Sequence, residues 1–201
     1  ILTQVTVDPY DESFYTPMKK VGRYMTREEA DAEEAKGNYV TQVPGKGWQR
    51  IVASPKPVAI VEIDAIRALL DADQIVVSCG GGGIPVMEQG SNLKGASAVI
   101  EKDLVSGLLA KEIDADILMI LTSVEHVSLH YGTDAQTPVT RMTVAEAERY
   151  CQEGHFEASS MLPKIEASVS FIKAGKDRSA IITSLDHALE AMEGKAGTII
   201  Q

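Results

Sequence analysis

Apolar positions recur along the chain at two different spacings. Short unbroken apolar runs at 75–79, 116–122 and 180–183 have the length and β-branched content of buried strands. Between them stand segments with helical spacing: Ile63, Ile66, Leu69 and Leu70; Val105, Leu108 and Leu109; and Ile165, Val169 and Ile172 behind a first-turn Pro163. Thr143 and Glu146 have the spacing of a capping box that opens a helix running to Cys151. Strands that alternate with helices predict a largely parallel sheet covered on both faces, with ligands at the carboxyl ends of the strands.

The first stretch, to about Ala53, reads differently. It opens on a strand-like run at 1–7, then turns polar, carries most of the aromatic residues, and is punctuated by Pro9, Pro17 and Pro44. Thr26 and Glu29 form a second capping-box pair ahead of an acidic helix ending near Gly37, and Pro44-Gly45-Lys46-Gly47 joins two β-prone runs into a hairpin. Ser54-Pro55-Lys56-Pro57 can continue neither a helix nor a central strand, so the boundary of a small subdomain is expected there.

Composition narrows the class. The 201 residues, 44% hydrophobic and 24% charged, suffice for one ample core. A formal charge of −10, with Lys and Arg scattered among acids, disfavours nucleic-acid binding but leaves room for a local cationic pocket. Cys79 and Cys151 belong to no CxxC or Cys/His cluster, which fits a reducing cytoplasm and predicts no dedicated metal site. No apolar run is long enough to cross a bilayer. A chain that opens without Met on a strand-like run is expected of a fragment of a longer protein.

Candidate chemistry concentrates in three places. Gly80-Gly81-Gly82-Gly83 follows an apolar run, and four glycines together suit either an unusually tight turn or N–H groups that cradle a small anion. Gly90 and Gly95 have the spacing of a phosphate loop, but Ala96 stands where its Lys belongs, and the match is read as chance. Lys102-Asp103 opens a helix; such a pair is commonly just solvated, yet a helix N-terminus after a glycine loop is where an anion would sit. Lys164 lies in the first turn of another helix, behind Ser159, Ser160 and Pro163, where a cation opposes the helix dipole unless an anion binds beside it. His126 and His130 are four apart but not on a helix, so a metal pair is not expected.

These segments together resemble the carbamate kinases of the amino acid kinase family. The resemblance rests on Thr3-Gln4-Val5, Pro17-Met18-Lys19-Lys20-Val21-Gly22, Ser54-Pro55-Lys56-Pro57, Gly80-Gly81-Gly82-Gly83-Ile84-Pro85-Val86 and Ala98-Val99-Ile100-Glu101-Lys102-Asp103-Leu104. It continues through Ile113-Asp114-Ala115-Asp116, Glu153-Gly154-His155-Phe156, Met161-Leu162-Pro163-Lys164 and Gly194-Lys195-Ala196-Gly197-Thr198. It implies a three-layer α/β/α sandwich with a mostly parallel central sheet, in which 1–7 ends an N-terminal lobe, 8–53 is a protruding α+β subdomain and 54–201 is the nucleotide-binding lobe.

By the same resemblance the activity is reversible phosphoryl transfer between ATP and carbamate, with Mg²⁺ held by the nucleotide's phosphates, in a cytoplasmic homodimer serving arginine breakdown. Lys19, with Lys20 as its neighbour, would reach over the site; Lys102 would stabilise the phosphoryl group in flight; Asp103 would organise the lysines; Lys164 would bind nucleotide phosphates. Gly80, Gly81, Gly82 and Gly83 would contact the carbamate end. Thr122, Ser123, Val124, Val127, Tyr131 and Met161 would form the nucleotide pocket. The family's usual N-terminal segment, with a further phosphate loop, lies outside this sequence. Ser123 stands where the family usually has Asp, and Ser159 where it has Gly. Another acylphosphate-forming member of the family, or a non-catalytic nucleotide-binding homologue, stays open as an alternative.

Overall fold

Both capping boxes form as the spacing predicts, in a computed structural model that describes Ile1–Gln201. Thr26 caps α1 (Arg27–Ala35) and Thr143 caps α4 (Val144–Gln152); in each, the Thr side chain accepts from the third-position amide, and the Glu there accepts from the cap's own amide. The chain divides into two compact units, Ile1–Glu62 with Val77–Glu101, and Ile63–Val76 with Lys102–Gln201.

The first unit contains β1 (Gln4–Val7), β2 (Lys19–Met25), α1, β3 (Tyr39–Val43), β4 (Gly47–Val52), β5 (Pro57–Ile60), β6 (Ile84–Gln89) and β7 (Asn92–Gly95). One sheet has the order β5-β1-β6-β7, with β1 parallel to β6 and antiparallel to β5. Strand β1 is interior and its Val5 and Val7 are buried; Pro57 starts the edge strand, where a missing N–H is tolerated. A second sheet, β2-β4-β3, is antiparallel and carries the predicted hairpin at 44–46. Helix α1 buries Ala30, and its Arg27 guanidinium lies 4.2 Å over the Trp48 ring.

The second unit contains α2 (Ile63–Asp71), α3 (Lys102–Glu112), β8 (Ile117–Thr122), β9 (Val127–Leu129), β10 (Thr137–Val139), β11 (Arg141–Met142), α4, α5 (Met161–Lys173), β12 (Ser179–Ser184), α6 (Ala188–Met192) and β13 (Thr198–Ile200). Its sheet has the order β11-β13-β12-β8, and β8 and β12 run parallel over six paired residues. Ile120, Ile165, Phe171, Ile182 and Ile200 fill one continuous core. The anticipated α/β class is therefore the class adopted, with mixed sheets.

One element departs from expectation. Residues 75–79 form no strand: Ile75 is 99% and Val77 80% exposed. A strand exists only through pairing, and no neighbour offers this run a hydrogen-bonded ladder. It is held instead at isolated points, the Ile1 nitrogen donating to the Val77 carbonyl at 2.7 Å and the Cys79 amide to Thr3 Oγ1 at 2.9 Å. Conversely, 84–95 folds into the β6–β7 hairpin, turning at Gly90 with φ +62°, so the phosphate-loop spacing there is indeed incidental.

Candidate active site

Helices α3 and α5 pack face to face, and their first turns meet. Asp103 at the start of α3 is buried, as is Lys164 in the first turn of α5, and Lys164 Nζ donates to Asp103 Oδ2 at 2.8 Å. The side chains are only 10% and 11% exposed. Removing both charges from water offsets most of their attraction, so a pair this buried is weak evidence of a stabilising device and calls for another reason. It does explain how a Lys is tolerated near a helix N-terminus: the Asp103 carboxylate supplies the compensating charge.

The open anion site at that helix end is largely closed. The amides of Ser160, Met161 and Leu162 all point to the Glu157 carbonyl at 3.0–3.2 Å, and Pro163 has no amide to offer. Ser159 and Ser160 hydroxyls donate to the Glu157 carboxylate at 2.7 and 2.8 Å, and these bonds hold its pKa below the usual carboxylate value. The Lys164 side chain, not the helix dipole, is therefore the principal positive group presented there.

Lys164 lines a pocket of about 190 Å³ in the second unit. The wall runs through Thr122, Ser123 and Val124 at the carboxyl end of β8, continues with His126, Ser128 and Tyr131, and closes with His155, Phe156, Glu157, Ser160 and Met161. This is the end of a parallel strand where α/β folds bind ligands. Most of the sequence-predicted nucleotide set is thus brought together: Thr122, Ser123, Val124, Tyr131, Met161 and Lys164. Val127 is the exception, fully buried in the core and tied through its amide to Thr198 Oγ1 at 2.8 Å.

Six wall residues lie outside the expected set: His126, Ser128, His155, Phe156, Glu157 and Ser160. The signals for them are that His155 and Phe156 stand in a segment that carries the resemblance and that Ser160 precedes the helix of Lys164. In the structure the His155 ring meets His130 edge-on, with centroids 4.4 Å apart, and its Nε2 lies 3.1 Å from Glu153 Oε2.

Lys102, next to the buried pair, is exposed and engaged by no carboxylate, which leaves its ammonium free for a ligand. In the first unit, Lys19 on β2 forms an ion pair with Glu101, both side chains being partly buried. Glu101 is not among the expected partners, because a separation of 82 positions from Lys19 hides the contact in sequence.

The glycine run is a sharp turn with three successive left-handed residues, Gly81, Gly82 and Gly83 at φ +69°, +96° and +75°, after Cys79 at φ +58°. A Cβ on Gly83 would lie 2.6 Å from Val5 Cγ2, so that glycine is required by packing on β1. The amides of Gly82 and Gly83 close the turn onto Cys79 and Gly80. Gly80 and Gly81 have nothing within 4 Å of where a Cβ would stand, so these two are open to a ligand.

The amino acid kinase family model matches residues 22–184, well over half of the sequence. The chain belongs to the amino acid kinase family. It is 47% identical over 200 residues to the carbamate kinase-like protein YqeA of Escherichia coli, covering all of this chain and 64% of that protein. It is 46% identical to carbamate kinase 2 of Enterococcus faecalis, again over 64% of the relative. Among solved structures, this family member superposes on the carbamate kinase of Giardia lamblia bound to AMP-PNP with a TM-score of 0.92 at 39% identity, covering the whole chain and 64% of that structure. The chain spans somewhat under two thirds of the length of these relatives.

Proposed function

We propose that this chain is the nucleotide-binding and phosphoryl-handling part of a carbamate kinase, catalysing carbamoyl phosphate + ADP ⇌ ATP + carbamate. The observation that carries the reading is Lys164, held by the buried Asp103 and presented to a pocket at the carboxyl end of β8. A relative of known structure that binds AMP-PNP supports a nucleotide as the occupant. The 122–124 segment and Tyr131 would take the base, and Lys164 the phosphates.

Carbamate already carries its nucleophilic charge, so the transfer needs no strong general base. What it needs is alignment and neutralisation of the migrating group's oxygens. Lys102, with its unpaired ammonium, is suited to charge that grows in the transition state, whereas Lys164 is oriented in advance by Asp103. Lys19 and the open amides of Gly80 and Gly81 would serve the carbamoyl end. Mg²⁺ would enter with the nucleotide as part of the substrate, held by phosphate oxygens. The protruding role of 8–53, a homodimer, a cytoplasmic site of action and a place in arginine breakdown belong to the same proposal.

The test is formation of ATP from carbamoyl phosphate and ADP by the full-length protein, in a coupled assay, before and after Lys102→Ala. Loss of a single charge stabiliser should lower kcat by about 10²–10³-fold with the fold unchanged. Unaltered turnover in that variant would overturn the assignment. Nucleotide binding by the parent without any ATP formation would make it instead a non-catalytic nucleotide-binding relative.

A further inference from the structure

The side-chain polar partner of Asp103 is Lys164, and that of Lys164 is Asp103. The polar contact that orients the Lys164 ammonium therefore spans α3 and α5, and its length depends on their separation. That separation is set one turn along each helix. Gly107 follows Asp103 by four residues and Ala167 follows Lys164 by three, which puts each on the same face as its charged neighbour. A Cβ on Gly107 would stand 3.0 Å from the Ala167 carbonyl oxygen, 3.1 Å from its Cβ and 3.2 Å from its Cα. Two of these are backbone atoms of a 13-residue helix, unable to swing aside as a flexible side chain would. Ordinary carbon contacts lie at about 3.5–4.0 Å.

We infer that Gly107 and Ala167 are positioning residues for the phosphate-binding lysine: their bare backbone contact sets the approach of α3 to α5 at which Asp103 aims Lys164 into the pocket. The inference rests on the nucleotide reading above. A glycine inside a helix weakens it relative to alanine, so a purely local account would have Gly107→Ala strengthen α3. The contact predicts the opposite outcome for the site. An added methyl must push the helices apart by several tenths of an ångström, and the displacement is passed along α3 and α5 to the first turns, some 4–6 Å away at 1.5 Å of rise per residue.

The experiment compares parent, Gly107→Ala and the double variant Gly107→Ala/Ala167→Gly, which moves the methyl from one helix to the other. Equilibrium binding of ADP and of adenosine is measured by calorimetry, and acetylation of Lys164 by acetic anhydride is followed by peptide mass. Gly107→Ala is expected to weaken ADP about tenfold, leave adenosine within about twofold, and speed Lys164 acetylation, with the double variant recovering ADP affinity and slow acetylation only in part, because the Ala167 carbonyl oxygen and Cα still meet the new methyl. The pattern separates an effect on phosphate binding from general loosening, which would weaken both ligands alike. Equal losses for ADP and adenosine, or unchanged ADP affinity and acetylation, overturn the inference. A parent that binds neither ligand overturns the nucleotide reading instead, while the acetylation rates still test the positioning. Should Gly107→Ala not fold, Ala167→Val crowds the same contact from α5, and a folded Ala167→Val with the parent's acetylation rate and ADP affinity refutes it.

Discussion

Replacing Asp103 with Asn removes one charge from the pair beneath the pocket while keeping its size and one acceptor oxygen. Because both side chains are about nine-tenths buried, the Lys164 ammonium would be left with neither a counter-charge nor bulk water. Breaking a buried pair from one side costs about 3–5 kcal/mol, and the retained acceptor places Asp103→Asn near the lower end, about 3 kcal/mol. For a chain of 201 residues each kcal/mol moves Tm by roughly 2–4 °C, so a fall of about 6–12 °C is expected in thermal unfolding followed by circular dichroism. The decisive comparison is Asp103→Leu/Lys164→Met, which removes both charges together. Desolvation offsets attraction in the native pair, so the double variant should unfold within about 1–2 kcal/mol of the parent, yet bind ADP poorly. A pair retained for function would thus be separated from one retained for stability. If Asp103→Asn unfolds within about 2 °C of the parent, or the double variant is as unstable as the single one, the reasoning about burial is wrong.

Other expectations follow from particular contacts. Gly83→Ala combines a left-handed φ, about 1–2 kcal/mol, with overpacking against Val5, about 1–3 kcal/mol, whereas Gly81→Ala meets open space and carries only the first cost; urea unfolding of the two variants should differ accordingly. The Glu29 carboxyl, held down to about 2 chiefly by the Arg23 guanidinium and then by the Thr26 amide, has an ordinary value of 4.5. A lowered folded pKa means its contribution is fully present above about pH 4.5 and is lost as pH falls through about 2. Tm profiles of the parent and Glu29→Gln should therefore diverge at pH 6 and converge toward pH 2, and parallel profiles would count against this role. Glu101→Gln, which frees Lys19, should raise the KM for carbamoyl phosphate in the full-length protein more than the KM for ADP; equal changes would remove Lys19 from the carbamoyl end.

Much was legible in the amino-acid order because it is governed by neighbours in the chain. Both capping boxes, the five principal helices, the hairpin at 44–46 and strands β8 and β12 follow from periodicity, cap chemistry and turn residues, which act over a few positions. Half of the pocket lining was also legible, since Thr122, Ser123, Val124, Met161 and Lys164 sit at ends of elements whose bounds the pattern sets. What failed was whatever depends on a partner far along the chain. The apolar run at 75–79 has strand character in its side chains but no ladder beside it, and Val127, one residue from the pocket-lining His126, turns into the core instead. The pairing of Lys19 with Glu101, the burial of Lys164 against Asp103, and the contact of Gly107 with Ala167 join residues 60 or more positions apart. Local sequence chose which residues are charged and which helices carry them. Only the packing of those helices decided which ammonium is buried and aimed and which is left exposed, because desolvation and close approach are properties of the folded neighbourhood rather than of the residue.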